Sequence, residues 1–130
     1  MFFKPNLIAN IKFIYLYRDS ANYKSWNDVV FENPDQLPLE EIENNLISDF
    51  LPDKLFVANQ ISIPEKFLFS EGDFSSFDHC YHEFDHVEFC IAKPTDTLNR
   101  SIAIFLRDVR LVSEQGWKAF DILEYAKRQR

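Results

Sequence analysis

Residues 11–31 decide the fold: Ile11-Lys12-Phe13-Ile14-Tyr15-Leu16-Tyr17-Arg18-Asp19-Ser20-Ala21-Asn22-Tyr23-Lys24-Ser25-Trp26-Asn27-Asp28-Val29-Val30-Phe31. Ile11 to Tyr17 is aromatic and β-branched, the composition of a strand. Arg18 to Asn22 supplies turn chemistry, with Arg18 and Asp19 placed to form a local ion pair and Asn22 suited to positive φ. Trp26, Asp28 and Val30 then alternate against Asn27, Val29 and Phe31, the period of a second strand. Two strands joined by a polar turn make an antiparallel hairpin.

Downstream, Asn33-Pro34-Asp35 breaks the second strand. Pro38 stands at a helix start, and Glu40 and Glu41 fall in the first turn, where acids complement the helix dipole. Leu39, Ile42, Leu46, Ile47 and Phe50 recur at helical spacing, so the pattern predicts an amphipathic helix over 38–50, ended by Pro52. Lys54 to Pro64 reads as an extended segment or short strand. Residues 70–79 read as a loop and Tyr81 to Ala92 as a further strand. Pro94-Thr95-Asp96 closes that strand and is expected to cap a helix with the stripe Leu98, Ile102, Phe105, Val109 and Val112. Gly116 suits its C-terminal cap, and Trp117 to Lys127 a last short helix. The pattern defines an α+β fold: a small, mainly antiparallel sheet with two or three helices packed on one face. Residues 1–130 are expected to form a single globular domain.

Aromatics make up 16% of the chain, which argues against disorder. With only Gly72 and Gly116, the chain has no glycine-rich phosphate loop. The net charge of −7 is unevenly spread. Residues 25–92 carry fifteen acids against Lys54 and Lys66, while both flanks are mildly basic. Such a field repels phosphate backbones and attracts basic proteins. Direct nucleic-acid binding is therefore not expected, and a basic protein partner is. The competing reading is a solvated acidic surface that only keeps the chain soluble. Cys80 and Cys90 are too few for a disulfide framework, and are expected to be reduced thiols in a cytoplasmic protein. No signal-peptide pattern and no bilayer-length apolar run are present, so no membrane association is expected.

The densest polar cluster is Asp78-His79-Cys80-Tyr81-His82-Glu83-Phe84-Asp85-His86, which holds all three histidines. Imidazole, thiolate and carboxylate are common metal ligands. On an unbroken strand, His82 and His86 share a face with Asp78 and Cys80, and His79 and Glu83 share the other. His79, His82 and His86 are therefore the metal-ligand candidates, and the cluster could supply a general base. The spacing matches neither Cys-x-x-Cys nor His-Glu-x-x-His, so a polar strand edge competes with a metal site. Cys80 is read as a buried thiol, because no helix N-terminus or oxyanion hole is in view to activate it. No catalytic residue and no cofactor is assigned.

The segments Tyr17–Lys24, Phe56-Val57-Ala58-Asn59-Gln60-Ile61-Ser62-Ile63-Pro64, Tyr81-His82-Glu83 and Pro94-Thr95 together carry a resemblance. The chain resembles a group of small bacterial proteins with an early Tyr-Arg-Asp-x-x-Asn-Tyr-Lys segment and a later aromatic-His-Glu element. It departs from that group in Tyr81, where Trp is common, and in its Phe-rich stretch at 67–77. The resemblance implies a single small cytoplasmic domain and no catalytic residues, the group having no established activity.

The candidate partner-binding residues are Glu71, Asp73, Phe74, Phe77, Asp78 and Glu83 from the acidic centre, with Tyr17, Tyr23 and Trp26 around the hairpin turn. Phe67 and Phe69 add to the aromatics read as exposed. Tyr, Trp and Arg are the residue types that dominate binding hot spots. The expected function is a small acidic inhibitor, immunity-, antitoxin- or phage anti-defence-like, that blocks a basic, nucleic-acid-acting partner. The alternatives are a metal- or His-dependent hydrolase using His79 to His86, and an accessory subunit whose helix at 98–112 docks into a larger assembly.

Overall fold

In the computed structural model, which describes residues 9–68 and 78–128, the hairpin forms from β1 (Asn10–Arg18) and β2 (Lys24–Phe31). Pairing runs from Ile11 opposite Phe31 to Arg18 opposite Lys24. Asp19 ties the turn: its Oδ1 accepts from the Ala21 and Tyr23 N–H groups at 2.9 and 2.8 Å. Asn22 takes φ 68°, as its side chain permits. Asp19 thus serves its own turn and does not pair with Arg18.

β4 (His82–Cys90) lies on the other side of β1, with β3 (Leu55–Phe56) beyond it. The sheet order is β2-β1-β4-β3, and every neighbouring pair is antiparallel. Lys54 to Pro64, expected to be an extended segment or short strand, holds the short β3 and then a 3₁₀ turn at Ala58–Ile61, and a further 3₁₀ turn, Pro52–Lys54, precedes it. Positive φ at Asp53, Lys54 and Ser62 bends the chain there.

α1 (Leu39–Asp49) follows the predicted spacing, with Phe50 as its C-cap. α2 (Ile102–Gln115) begins later than its stripe suggested. Ser101 is the N-cap, its Oγ accepting from the Ile104 N–H at 3.2 Å, and Leu98 lies exposed in the preceding loop. The Asp96 carboxylate accepts from the Arg100 N–H and Asn99 takes φ 52°, so residues 96–100 are held as a turn that cannot join the helix. Gly116 closes α2 at φ 101°. α3 (Ile122–Arg128) is shorter than the predicted Trp117–Lys127 helix. Trp117 is instead pinned outside it: its indole N–H donates to the Asp49 carbonyl at 3.0 Å and its ring packs on Phe50.

Burial follows helical spacing in α1 and α2 and strand alternation over Asn10–Tyr15, while Leu16 and Val30 are buried on the other sheet face as well. Ile11, Phe13 and Tyr15 of β1, Val29 and Phe31 of β2, and Phe84 and Val87 of β4 meet Ile42 and Leu46 of α1 and Ile102, Phe105 and Val109 of α2. Phe13 sits at the centre, stacked on Phe84 at 5.1 Å and edge-on to Phe105 at 5.2 Å. Each such buried side chain contributes about 1.5–3 kcal/mol. The α2 stripe is thus buried against its own sheet. The opposite sheet face carries Lys12, Arg18, Lys24, Trp26, Asp28, Glu83, His86 and Glu88 in register. Among the described residues, no helix is long and apolar enough to cross a membrane.

Candidate functional site

The β1–β4 register sets Leu16 opposite Glu83 and so brings the hairpin turn against the histidine cluster. Arg18 grips Glu83 in a two-pronged pair at 3.2 Å on each arm, and its third nitrogen donates to Asn22 Oδ1 at 2.6 Å. The Glu83 hydrogen bond and charge push the already high Arg18 pKa further up. The Ser20 N–H donates to Asp78 Oδ1 at 2.7 Å, and the Tyr17 hydroxyl to the His79 carbonyl at 2.8 Å. Burial, reinforced by the Asp78 charge, raises the Tyr17 hydroxyl pKa.

This geometry places the sequence-predicted contact residues unequally. Tyr17 is buried, edge-on to Phe67, and belongs to the packing and not to the surface. Asp78 and Glu83 hold the hairpin turn. Tyr23 and Trp26 are exposed, Trp26 at 52%. Phe67, read as exposed, is half-buried against Tyr17, His82 and Tyr125. Glu71, Asp73, Phe74 and Phe77, with Phe69, lie outside the described residues.

The three histidines do not converge: His79 and His82 both pack on the Tyr17 ring, and His86 lies apart. Ile14 pairs with His86 and Tyr15 with Phe84, which leaves Asp85 as an extra residue in β4. That bulge reverses the alternation. His82 therefore points into the core with Phe84, while His86 stands on the opposite face, contrary to the shared face that unbroken alternation predicts. Among the described residues, no group of three or more His, Cys, Asp or Glu gathers as metal ligands.

Each histidine has its own setting. His82 Nε2 accepts from the Lys66 N–H at 2.8 Å, so its proton sits on Nδ1, which has no hydrogen-bond partner among the described residues. Burial, with the nearby His79, lowers its pKa to about 3. His86 lies between Asp85 at 2.6 Å and Glu88 at 3.1 Å, whose hydrogen bonds push its pKa up. His79 Nδ1 accepts from the Tyr81 N–H at 3.0 Å. Cys80 is a buried free thiol whose pKa is raised by burial, which keeps it protonated and a poor nucleophile.

Two groups of acids differ in their pairing. On β4 they have partners in place: Glu83 pairs with Arg18, Glu88 with Lys12 at 3.9 Å, and Asp85 and Glu88 share His86, which is cationic only when protonated. Asp49 is paired with Arg110. Glu32, Asp35, Glu40, Glu41, Glu43 and Asp53 have no cation within ion-pairing distance among the described residues. These acids run along the β2–α1 connection, the first half of α1 and the turn after it. Pro38, Glu40, Glu41, Asn44 and Asn45 line a shallow depression there.

Sequence reasoning missed a second polar centre. Asp96 and Arg100 form a two-pronged buried pair at 2.9 Å on each arm. The same guanidinium donates to the Ile61 and Ser62 carbonyls and to Asp108, and lies over the Phe105 ring. Burial alone would raise the Asp96 carboxyl, but the Arg100 hydrogen bonds and charge outweigh it and hold its pKa low. Next to this pair opens a small cleft whose lining includes Asn27, Val29, Pro64, Lys66, Thr95 and Asp96. The only signal was the Asp96-to-Arg100 spacing of one helical turn, which served a loop. In comparisons with protein-family models, curated proteins and solved structures, nothing matches this chain.

Proposed function

We propose that this chain is a cytoplasmic protein-docking inhibitor whose acidic α1 edge engages a basic, nucleic-acid-acting partner, as an immunity protein, an antitoxin or a phage anti-defence protein would. The observation that carries this reading is the segregation of charge. The β4 carboxylates lie against Arg18, Lys12 and His86, whereas Glu32, Asp35, Glu40, Glu41, Glu43 and Asp53 have no ion-pairing cation among the described residues, Asp49 between them being held by Arg110. Unmatched carboxylates along a helix edge offer a basic surface what a phosphate track offers it, and they accelerate encounter with such a partner. Docking requires no catalytic group, which accords with three histidines set in three different environments.

The test is capture from native host lysate at low and high salt with three baits: the wild-type chain, a Glu32→Gln/Glu40→Gln/Glu41→Gln variant, and Glu88→Gln as control. The reading expects one basic protein that the wild type and the control retain at low salt. The same protein is lost at high salt and lost from the triple variant. Capture indifferent both to salt and to the triple substitution overturns it.

A further inference from the structure

β2 is an edge strand, paired with β1 on its inner side and with no strand on its outer side among the described residues. The direction of its main-chain groups is fixed at both ends. Val30 N–H donates outward to Thr95 Oγ1 at 2.8 Å, and Val30 O accepts from the Thr95 N–H at 2.9 Å. Glu32 O accepts from the Ile102 N–H at 2.8 Å. At the other end, Tyr23 O turns inward to the Asp19 N–H. Main-chain direction alternates along a strand, so Lys24, Trp26 and Asp28 present both N–H and C=O to the open edge. No hydrogen bond among the described residues reaches those groups. Their side chains share the sheet face that α1 and α2 leave uncovered. All three are exposed, and neither Lys24 nor Asp28 has an ion-pair partner among the described residues.

We infer that this edge is a self-complementary interface, with β2 pairing antiparallel to β2 of a second copy about a two-fold axis at Trp26. In that register Trp26 faces the partner's Trp26, and Lys24 faces the partner's Asp28. Two-fold symmetry repeats the contact, so the partner's Lys24 faces Asp28. All three facing positions are outward-directed, so each exchanges a pair of main-chain hydrogen bonds. On the open face two opposite-charge pairs flank an aromatic pair, the combination that stabilises cross-strand contacts. Centring the axis on Lys24 or on Asp28 would set like charges face to face. The Thr95 segment occupies the edge at Val30 and stops the ladder after Asp28. The inference stands apart from the acidic-edge reading, and its test uses no other protein.

The experiment is sedimentation equilibrium up to about 1 mM chain, a concentration that reveals even weak association. Wild type is expected to dimerise. Lys24→Glu alone sets Glu opposite Asp in both symmetric pairs, and Asp28→Lys alone sets Lys opposite Lys. Each single variant is expected to weaken dimerisation by roughly tenfold or more. An equimolar mixture of the two variants restores opposite charges at both pairs and is expected to recover the dimer. Trp26→Pro removes one outward N–H and leaves the β1 ladder intact, so it is expected to stay folded by circular dichroism and monomeric. A wild-type chain that is monomeric throughout overturns the inference. So does a dimer that both charge variants leave unchanged, or a mixture no more dimeric than its components.

Discussion

Asp96 and Arg100 face each other through two 2.9 Å hydrogen bonds, and their side chains are only 1% and 5% exposed. The pair fastens the loop before α2 to the Ile61–Ser62 turn. Removing one partner leaves a buried charge without compensation. Asp96→Ala is expected to cost about 3–5 kcal/mol. Urea unfolding at neutral pH measures it, and a loss well under 1 kcal/mol would contradict the role given to the pair. Because the Asp96 pKa is lowered in the fold, its contribution is present above the ordinary carboxylate range and fades as pH falls through the lowered value.

His82 makes the chain acid-sensitive in a higher window. Its folded pKa is about 3, whereas an unfolded histidine titrates near about 6.5. Between these values the unfolded chain binds the extra proton, so stability falls as pH falls, by at most about 1.4 kcal/mol per pH unit. His82→Gln keeps an acceptor for the Lys66 N–H and cannot titrate. Its urea midpoint is expected to change less between about pH 7 and pH 5 than that of the wild type. Identical pH dependence in the two chains would count against a buried neutral His82. His86 acts in the opposite sense: its raised pKa favours the fold at low pH, and that benefit is lost as pH rises through the folded value. Its exposure keeps the effect small.

The start of α2 is testable through its cap. Ser101→Ala removes the acceptor for the Ile104 N–H and is expected to cost about 1 kcal/mol. Leu98→Ala, in the exposed loop, is expected to stay within about 0.5 kcal/mol of wild type. The reverse ranking in thermal or urea unfolding would place the helix start earlier.

These cases show what was legible in the residues. The hairpin could be read because Ile11 to Tyr17 is aromatic and β-branched and Trp26, Asp28 and Val30 alternate with Asn27, Val29 and Phe31, and α1 because Ile42 and Leu46 obey the helical period. Leu98 fits the α2 stripe equally well, yet the Asp96–Arg100 pair takes its segment away, and spacing cannot register a competing tertiary contact. Asp85 as an extra residue leaves no mark in a strand sequence, so the separation of His82 from His86 was hidden. The meeting of Arg18 with Glu83 depends on a register set across the intervening chain. Charge counting found the acidic centre but not its division, because the pairing of Glu83 and Glu88 comes from basic residues on β1.

That division is the central claim, and titrating the ¹⁵N-labelled chain with tetralysine, with amide shifts mapped by NMR, tests it most directly. The account predicts shifts concentrated at Glu32, Asp35 and Glu40 to Glu43, fading as salt shortens the screening length. Shifts centred on Glu83 to Glu88, or spread evenly over the chain, would contradict it.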